Sequence, residues 1–146
     1  MGRLAPAFGR HSACKVFEKA APAAGSVWLG ESNFFQLPHE RLHAYQQARK
    51  LLECIREAEI SGAKLRDQAL RAGTSVCLNI AEAVGRTGFA DRARVFAIAR
   101  GECCEAGAAL DIALAAGRCR TDAAGAGAAH ARAAYALLTG LIRRFG

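Results

Sequence analysis

Residues Gln68 to Arg86 read QALRAGTSVCLNIAEAVGR, the one stretch whose residue types and spacing suggest chemistry. At about 100° per residue, Gln68, Arg71, Ser75, Asn79, Glu82 and Arg86 fall within roughly 80° of one another on a helix. Amide, hydroxyl, carboxylate and guanidinium groups at i, i+3 and i+4 spacing can either work on a substrate or bond to a neighbouring helix. Catalysis would need a nucleophile with a base, or a metal, and the chain offers neither. It has no GxSxG, HExxH, Walker or GxGxxG pattern, and Gly85 and Gly88 lack the preceding strand that a phosphate-cradling loop requires. Glu82 with Glu105 could form a carboxylate pair, but a di-iron bundle also needs two Glu-x-x-His units. Only Glu40 and His43 have that spacing, and a single match at a helix start reads as two solvated side chains. No catalytic residue, metal ligand or cofactor site is assigned. The seam, with Glu105, is expected to be structural, with Arg71, Arg86 or Arg100 as counter-ions for its carboxylates.

The elements that must position these groups are helical. Pro38 and Glu40 suit a first turn. Leu42, Tyr45, Ala48, Leu52 and Ile55 then form one apolar face, which ends at Ser61 and Gly62. A second helix is predicted from about Ala63 to Val84, with Gly85 as its stop. Thr87 is the expected cap of a third, which carries Phe96, Ala99, Cys103, Leu110 and Leu114 and closes at Gly117. A fourth starts from Thr121 or Asp122, weakly through Gly125 and Gly127, and is firm over Tyr135, Leu138, Leu141, Ile142 and Phe145. Four amphipathic helices with short connections predict an all-α, antiparallel up-and-down four-helix bundle over residues 37–146. Residues 1–36 carry scattered basic charge, Pro6 and Pro22, and no sustained period, and are expected to form a largely disordered basic tail. Within it, Trp28, Phe34 and Phe35 could cover an apolar groove.

With 146 residues, 52% of them hydrophobic and only 7% aromatic, the chain must pack mainly through Ala, Leu, Ile and Val. Cysteines 14, 54, 77, 103, 104 and 119 form no CxxC pair and have no histidine at zinc-ligand spacing. Cys54, Cys77 and Cys103 fall in helical patterns as small hydrophobes, which suits a reducing cytoplasm. No run is apolar enough to span a membrane, and the N-terminal run Ala20 to Gly30 is a poor signal core.

The net charge of +7 favours polyanions. It is unevenly placed: residues 118–146 hold five arginines and one aspartate (5 − 1 = +4), whereas 38–59 balance four against four. Arg86, Arg118, Arg120, Arg132, Arg143 and Arg144 are therefore the candidate contacts to an RNA or DNA backbone, with no aromatic platform expected for reading bases. In the third helix, Ile98, Glu105 and Ile112 recur every seven residues away from the Phe96 stripe. A helix with two apolar faces calls for a second partner, and Ile98 and Ile112 are expected to meet another copy of the chain.

The motif Q-x-x-R-A-x-x-S-V-x-x-N-I-A-E of the second helix, A-R-G-x-x-x-E at Ala99–Glu105, L-L-T-G-L-I-R near the end and L-P-H-E-R-L-H-A-Y-Q-Q-A at Leu37–Ala48 together carry a family resemblance. Over residues 37–146 the chain resembles the bacterial four-helix-bundle family that includes the protein encoded within intervening sequences of large-subunit ribosomal RNA genes and the accessory variability protein of diversity-generating retroelements. That resemblance implies a non-enzymatic basic bundle, a ring-like homopentamer and, in the retroelement branch, a partnership with a reverse transcriptase and nucleic acid. Ala83 stands where the family usually has glycine, and Glu102 where it usually has serine, which bears on the interface at 102. The combined expectation is a cytoplasmic oligomer that presents arginines to nucleic acid or to a protein that handles it. The alternative is an interaction scaffold that binds no nucleic acid.

Overall fold

The computed structural model describes residues 36–146, so the expected tail lies outside the described residues over 1–35. Pro38–Arg41 forms a short 3₁₀ turn, and four α-helices follow: α1 (His43–Glu57), α2 (Ala63–Gly85), α3 (Phe89–Ala115) and α4 (Thr121–Phe145). There is no strand among the described residues. Helix α2 packs on α3, α3 on α4, and α4 closes the bundle against α1, while α1 and α2 share a narrower contact.

The predicted up-and-down bundle is thus present, with several ends set differently. Pro38 does not open α1. Glu40 caps the 3₁₀ turn by accepting the Leu37 N–H at 2.7 Å, and Leu42, with φ −78° and ψ 124°, separates the turn from α1. Thr87 does not cap α3, whose N-cap is Gly88 without a side-chain bond. Nor do Thr121 or Asp122 cap α4, whose N-cap is Arg120, although Asp122 places a carboxylate in the first turn as the helix dipole favours. At the far end of α3 the expected stop holds. Gly117 takes φ +62°, and Arg118 N–H bonds to the Ala113 carbonyl at 2.9 Å, the closure of a Schellman turn.

The two loops at this end are tied together. Ser61 N–H donates to the Arg118 carbonyl and Arg120 N–H to the Ala58 carbonyl, each at 2.8 Å. The α2–α3 loop and the C-terminus therefore share the opposite end.

Alanine dominates the core, with Leu51, Ile55, Val76, Ile80, Phe96, Leu110 and Leu138 as its large buried members. Small residues let helix axes approach closely, most sharply at Gly127. A Cβ there would lie 2.7 Å from Leu110 Cδ1 and 3.1 Å from Cys54 Cβ, so the glycine is a packing requirement where α4 meets α1 and α3. It also explains why α4 runs unbroken through the stretch expected to be weak: tertiary contact outweighs glycine's poor helix propensity. Among the described residues no helix is long and apolar enough to cross a membrane.

Candidate nucleic-acid interface

The polar seam of α2 lies on the surface, and no polar or charged residue is buried among the described residues. Two of its members meet Glu105 of α3: Gln68 donates its amide N–H to the Glu105 carboxylate, and Arg71 Nη2 stands 3.6 Å from the same group. The rest stays largely local. Asn79 Nδ2 donates to the Ser75 carbonyl at 2.9 Å, and Glu82 pairs with Arg86 one turn on. Arg86 also reaches Asp91 of α3 at 3.4 Å. Of the expected counter-ions, Arg71 and Arg86 serve the carboxylates, whereas Arg100 turns to α4, 5.4 Å over the Tyr135 ring and 3.4 Å from Thr139 Oγ1. Exposed pairs of this kind contribute little, because water screens them and the long side chains must be ordered. The seam sets how α2 faces α3 more than it stabilises the fold.

The six candidate arginines fall into separate groups. Arg118 and Arg120 occupy the end where the α1–α2 and α3–α4 loops meet, and Arg120 is paired with Asp122 at 2.7 Å. Backbone N–H bonding at Ala123, with the Arg120 guanidinium, holds the Asp122 carboxyl below its ordinary range. Arg86, Arg143 and Arg144 lie at the other end, about 36 Å away along an α4 of 25 residues. Glu82, then Asp91, raises the Arg86 pKa further above its ordinary value, so its charge is fixed and largely compensated.

Arg132 joins the two ends. It lies three turns before Arg143, about 20° away around the axis. With them on the outward side of α4 are Gly125, Ala129, Ala136 and Gly140, all exposed. This ridge is smooth, because nothing lies within 4 Å of where a Cβ would stand on Gly125 or Gly140. It is also uniformly basic: no aspartate or glutamate occurs from Ala123 to Gly146.

Ile98 and Ile112 are 42% and 56% exposed, facing away from the Phe96 side of α3, and Leu78 of α2 is 65% exposed. Leu78 was not singled out by the sequence, because it sits in the seam's own helix on the side away from the core.

Sequence reading also missed the aromatic cluster at the C-terminal end. Phe145 lies between Phe89 and Phe96, its ring tilted by 35° to the first at a centroid distance of 5.8 Å and stacked on the second at 6.0 Å. Phe89 is 67% exposed. The spacing of seven between Phe89 and Phe96 could have signalled a shared face, but only the fold brings Phe145 between them. An exposed phenylalanine backed by two others therefore stands at this end of the bundle.

Three buried thiols are poor candidates for covalent chemistry. Burial pushes Cys103 up to about 11, and also raises Cys54 and Cys77, which leaves little reactive thiolate at neutral pH. Cys103 and Cys104 diverge, one buried and one exposed. A cleft of about 350 Å³ beside them, between α3 and α4, is lined by Gly107, Ala108 and Tyr135, with Asp111 and Arg132 as its charged groups. A second, of about 430 Å³, carries Arg41, His43 and Arg144 over Leu137 and Leu141. Among the described residues no three His, Cys, Asp or Glu side chains gather as metal ligands would.

Compared with known proteins, residues 40–140 match the family model described as 23S rRNA-intervening sequence protein, a span that takes in α1, α2, α3 and most of α4. No curated protein matches the chain.

Proposed function

The chain belongs to the 23S rRNA-intervening sequence protein family, and from that membership we propose that it is a non-enzymatic, cytoplasmic, oligomeric bundle that binds the backbone of RNA or DNA. The observation that carries this reading is the outward face of α4. It is exposed, smooth at Gly125, Ala129, Ala136 and Gly140, basic at Arg132 and Arg143, and free of carboxylates beyond Asp122. A strand laid along it reaches, at the C-terminal end, Arg144, which has no carboxylate partner among the described residues. A duplex lying along α4 would cover about ten base pairs. Arg118 and Arg120 then belong to a separate contact at the far end, and Arg120 contributes least because Asp122 neutralises it. Small residues admit the backbone closely while arginines release counterions, a mode of binding that carries no base sequence information. A protein already holding nucleic acid, such as a reverse transcriptase, would present the same anionic chemistry. The five free cysteines among the described residues suit a reducing compartment.

Binding measured against salt tests the reading. Replacing Arg132 and Arg143 together by alanine is expected to lower the slope of log affinity on log salt by about two, while Arg120→Ala leaves it nearly unchanged. No binding of RNA or DNA even at low salt would leave only the interaction scaffold.

Assembly follows from the other face. We place the contact between copies on Leu78, Ile98 and Ile112, exposed apolar residues flanking the Gln68–Arg71–Glu105 cluster, with the ring of five that the family resemblance implies. Light scattering of Ile98→Asp with Ile112→Asp is expected to give a folded monomer. An unchanged mass would move the interface elsewhere.

A further inference from the structure

The end of the bundle that holds the C-terminus combines an exposed aromatic ring with uncompensated positive charge. Phe89 opens α3 and is 67% exposed. Isolated apolar side chains on a surface are ordinary, but this one is supported from below. Phe145 lies 5.8 Å beneath it and Phe96, 1% exposed, 6.0 Å beneath that. Two guanidiniums bracket the middle ring, Arg92 at 5.0 Å and Arg144 at 5.7 Å from its centroid. Arg92 is itself fixed, donating Nη2–H to the Arg86 carbonyl at 2.5 Å. Residues 82–94 and 141–146, which form this end, hold Arg86, Arg92, Arg94, Arg143 and Arg144 against Glu82 and Asp91, so 5 − 2 = +3.

We propose that Phe89 is a stacking platform for an unpaired base of a nucleic-acid strand, whose flanking phosphates lie on Arg92 and Arg144. The proposal rests on the nucleic-acid reading above and adds a preference for single strands, strand ends or bulges over continuous duplex. A π-face accepts any base, so the preference is for an unstacked base and not for a sequence. The charge selects this occupant. A protein partner recognising Phe89 through apolar contact alone would have to bury that net +3 beside it, whereas a nucleic-acid strand supplies anions at the spacing of its own backbone. The Leu78, Ile98 and Ile112 surface has neither a supported ring nor such an excess of arginine, which separates assembly from base capture on the same molecule.

The test compares a single-stranded oligonucleotide with a blunt duplex of the same sequence, by fluorescence anisotropy at fixed salt on the full chain. Wild type is expected to bind the single strand more tightly. Phe89→Ala and Phe89→Leu should weaken single-strand binding by about five- to a hundredfold, leave duplex binding unchanged, and leave the mass by light scattering unchanged. Phe89→Trp should retain the affinity, since it keeps a π-face. Ultraviolet cross-linking of a 5-iodouridine-substituted strand should label the tryptic peptide Thr87–Arg92. Equal binding by wild type and Phe89→Ala overturns the platform, and if Arg132→Ala with Arg143→Ala still weakens binding, the backbone-binding reading survives alone. A Phe89→Ala protein of reduced mass overturns the platform in favour of a contact between copies. Absence of binding to either probe by wild type at low salt overturns both.

Discussion

Phe96→Ala is expected to cost about 4 kcal/mol of folding stability, the value range for deleting a buried phenylalanine ring being roughly 3–5 kcal/mol. The side chain is 1% exposed and supports Phe145, with ring centroids 6.0 Å apart and an interplanar angle of 20°. Alanine cannot fill that volume, and the surrounding helices cannot close over it without moving the C-terminal turn of α4. A domain of this kind is stable by about 5–15 kcal/mol in all, so the loss takes a large share. Urea unfolding should show a lower midpoint with little change in slope. Phe89→Ala provides the internal comparison: its ring is mostly in solvent, and its removal should alter stability by no more than about 0.5 kcal/mol. An equal loss at both positions would mean that the stack is held from its outer ring inward, contrary to the burial.

The second large effect concerns glycines. Gly127→Val is expected to destabilise by about 3 kcal/mol, because its first added carbon already falls 2.7 Å from Leu110 Cδ1 and 3.1 Å from Cys54 Cβ. Leu110 is 1% exposed and has little room to turn away, and the Cys54 contact is to a Cβ, which moves only with the α1 backbone. Gly127→Ala sets the roughly 1 kcal/mol that alanine gains in helix propensity against overpacking of about 1–3 kcal/mol, and should come out destabilised. Gly125→Ala, two residues earlier in the same helix, meets nothing within 4 Å and should be stabilised by up to about 1 kcal/mol. Thermal unfolding of this pair checks the prediction by sign, which is more demanding than a magnitude. Two stabilised variants would show that α4 does not approach α1 and α3 this closely.

The difference between Gly125 and Gly127 also marks how far the sequence reaches. Both read as weak points of a fourth helix, because propensity treats each glycine alike. One meets solvent and the other meets two helices, and nothing in the local sequence separates them. The seam behaves similarly. Its alignment along α2 is legible from Gln68 to Arg86, and the counter-ion is confined to Arg71, Arg86 or Arg100; the pairing of Arg71 with Glu105 and of Arg86 with Glu82 came from the fold. That these groups would sit at the surface was not legible, because the periodicity of one helix gives directions about its own axis and not the depth to which neighbours cover them. Arg100, an equal candidate on charge alone, went to Tyr135 and Thr139 because α4 stood nearer to it than α2.

The sequence by itself determined the four helices, the antiparallel order forced by connections too short for any other, the alanine core, the family, and the excess of arginine over carboxylate after Asp122. The helices, the core and the charge excess are properties of composition or of spacing along one element, the order is a property of connection length, and the family rests on the resemblance of whole motifs. The tertiary structure decided which arginines share a surface, separating Arg118 and Arg120 from Arg143 and Arg144 by the length of α4. It also decided that Phe145 lies between Phe89 and Phe96, and that Gly127 is indispensable where Gly125 is not. Those outcomes depend on where one helix axis passes relative to the next, a distance fixed by side-chain volume summed across the whole bundle.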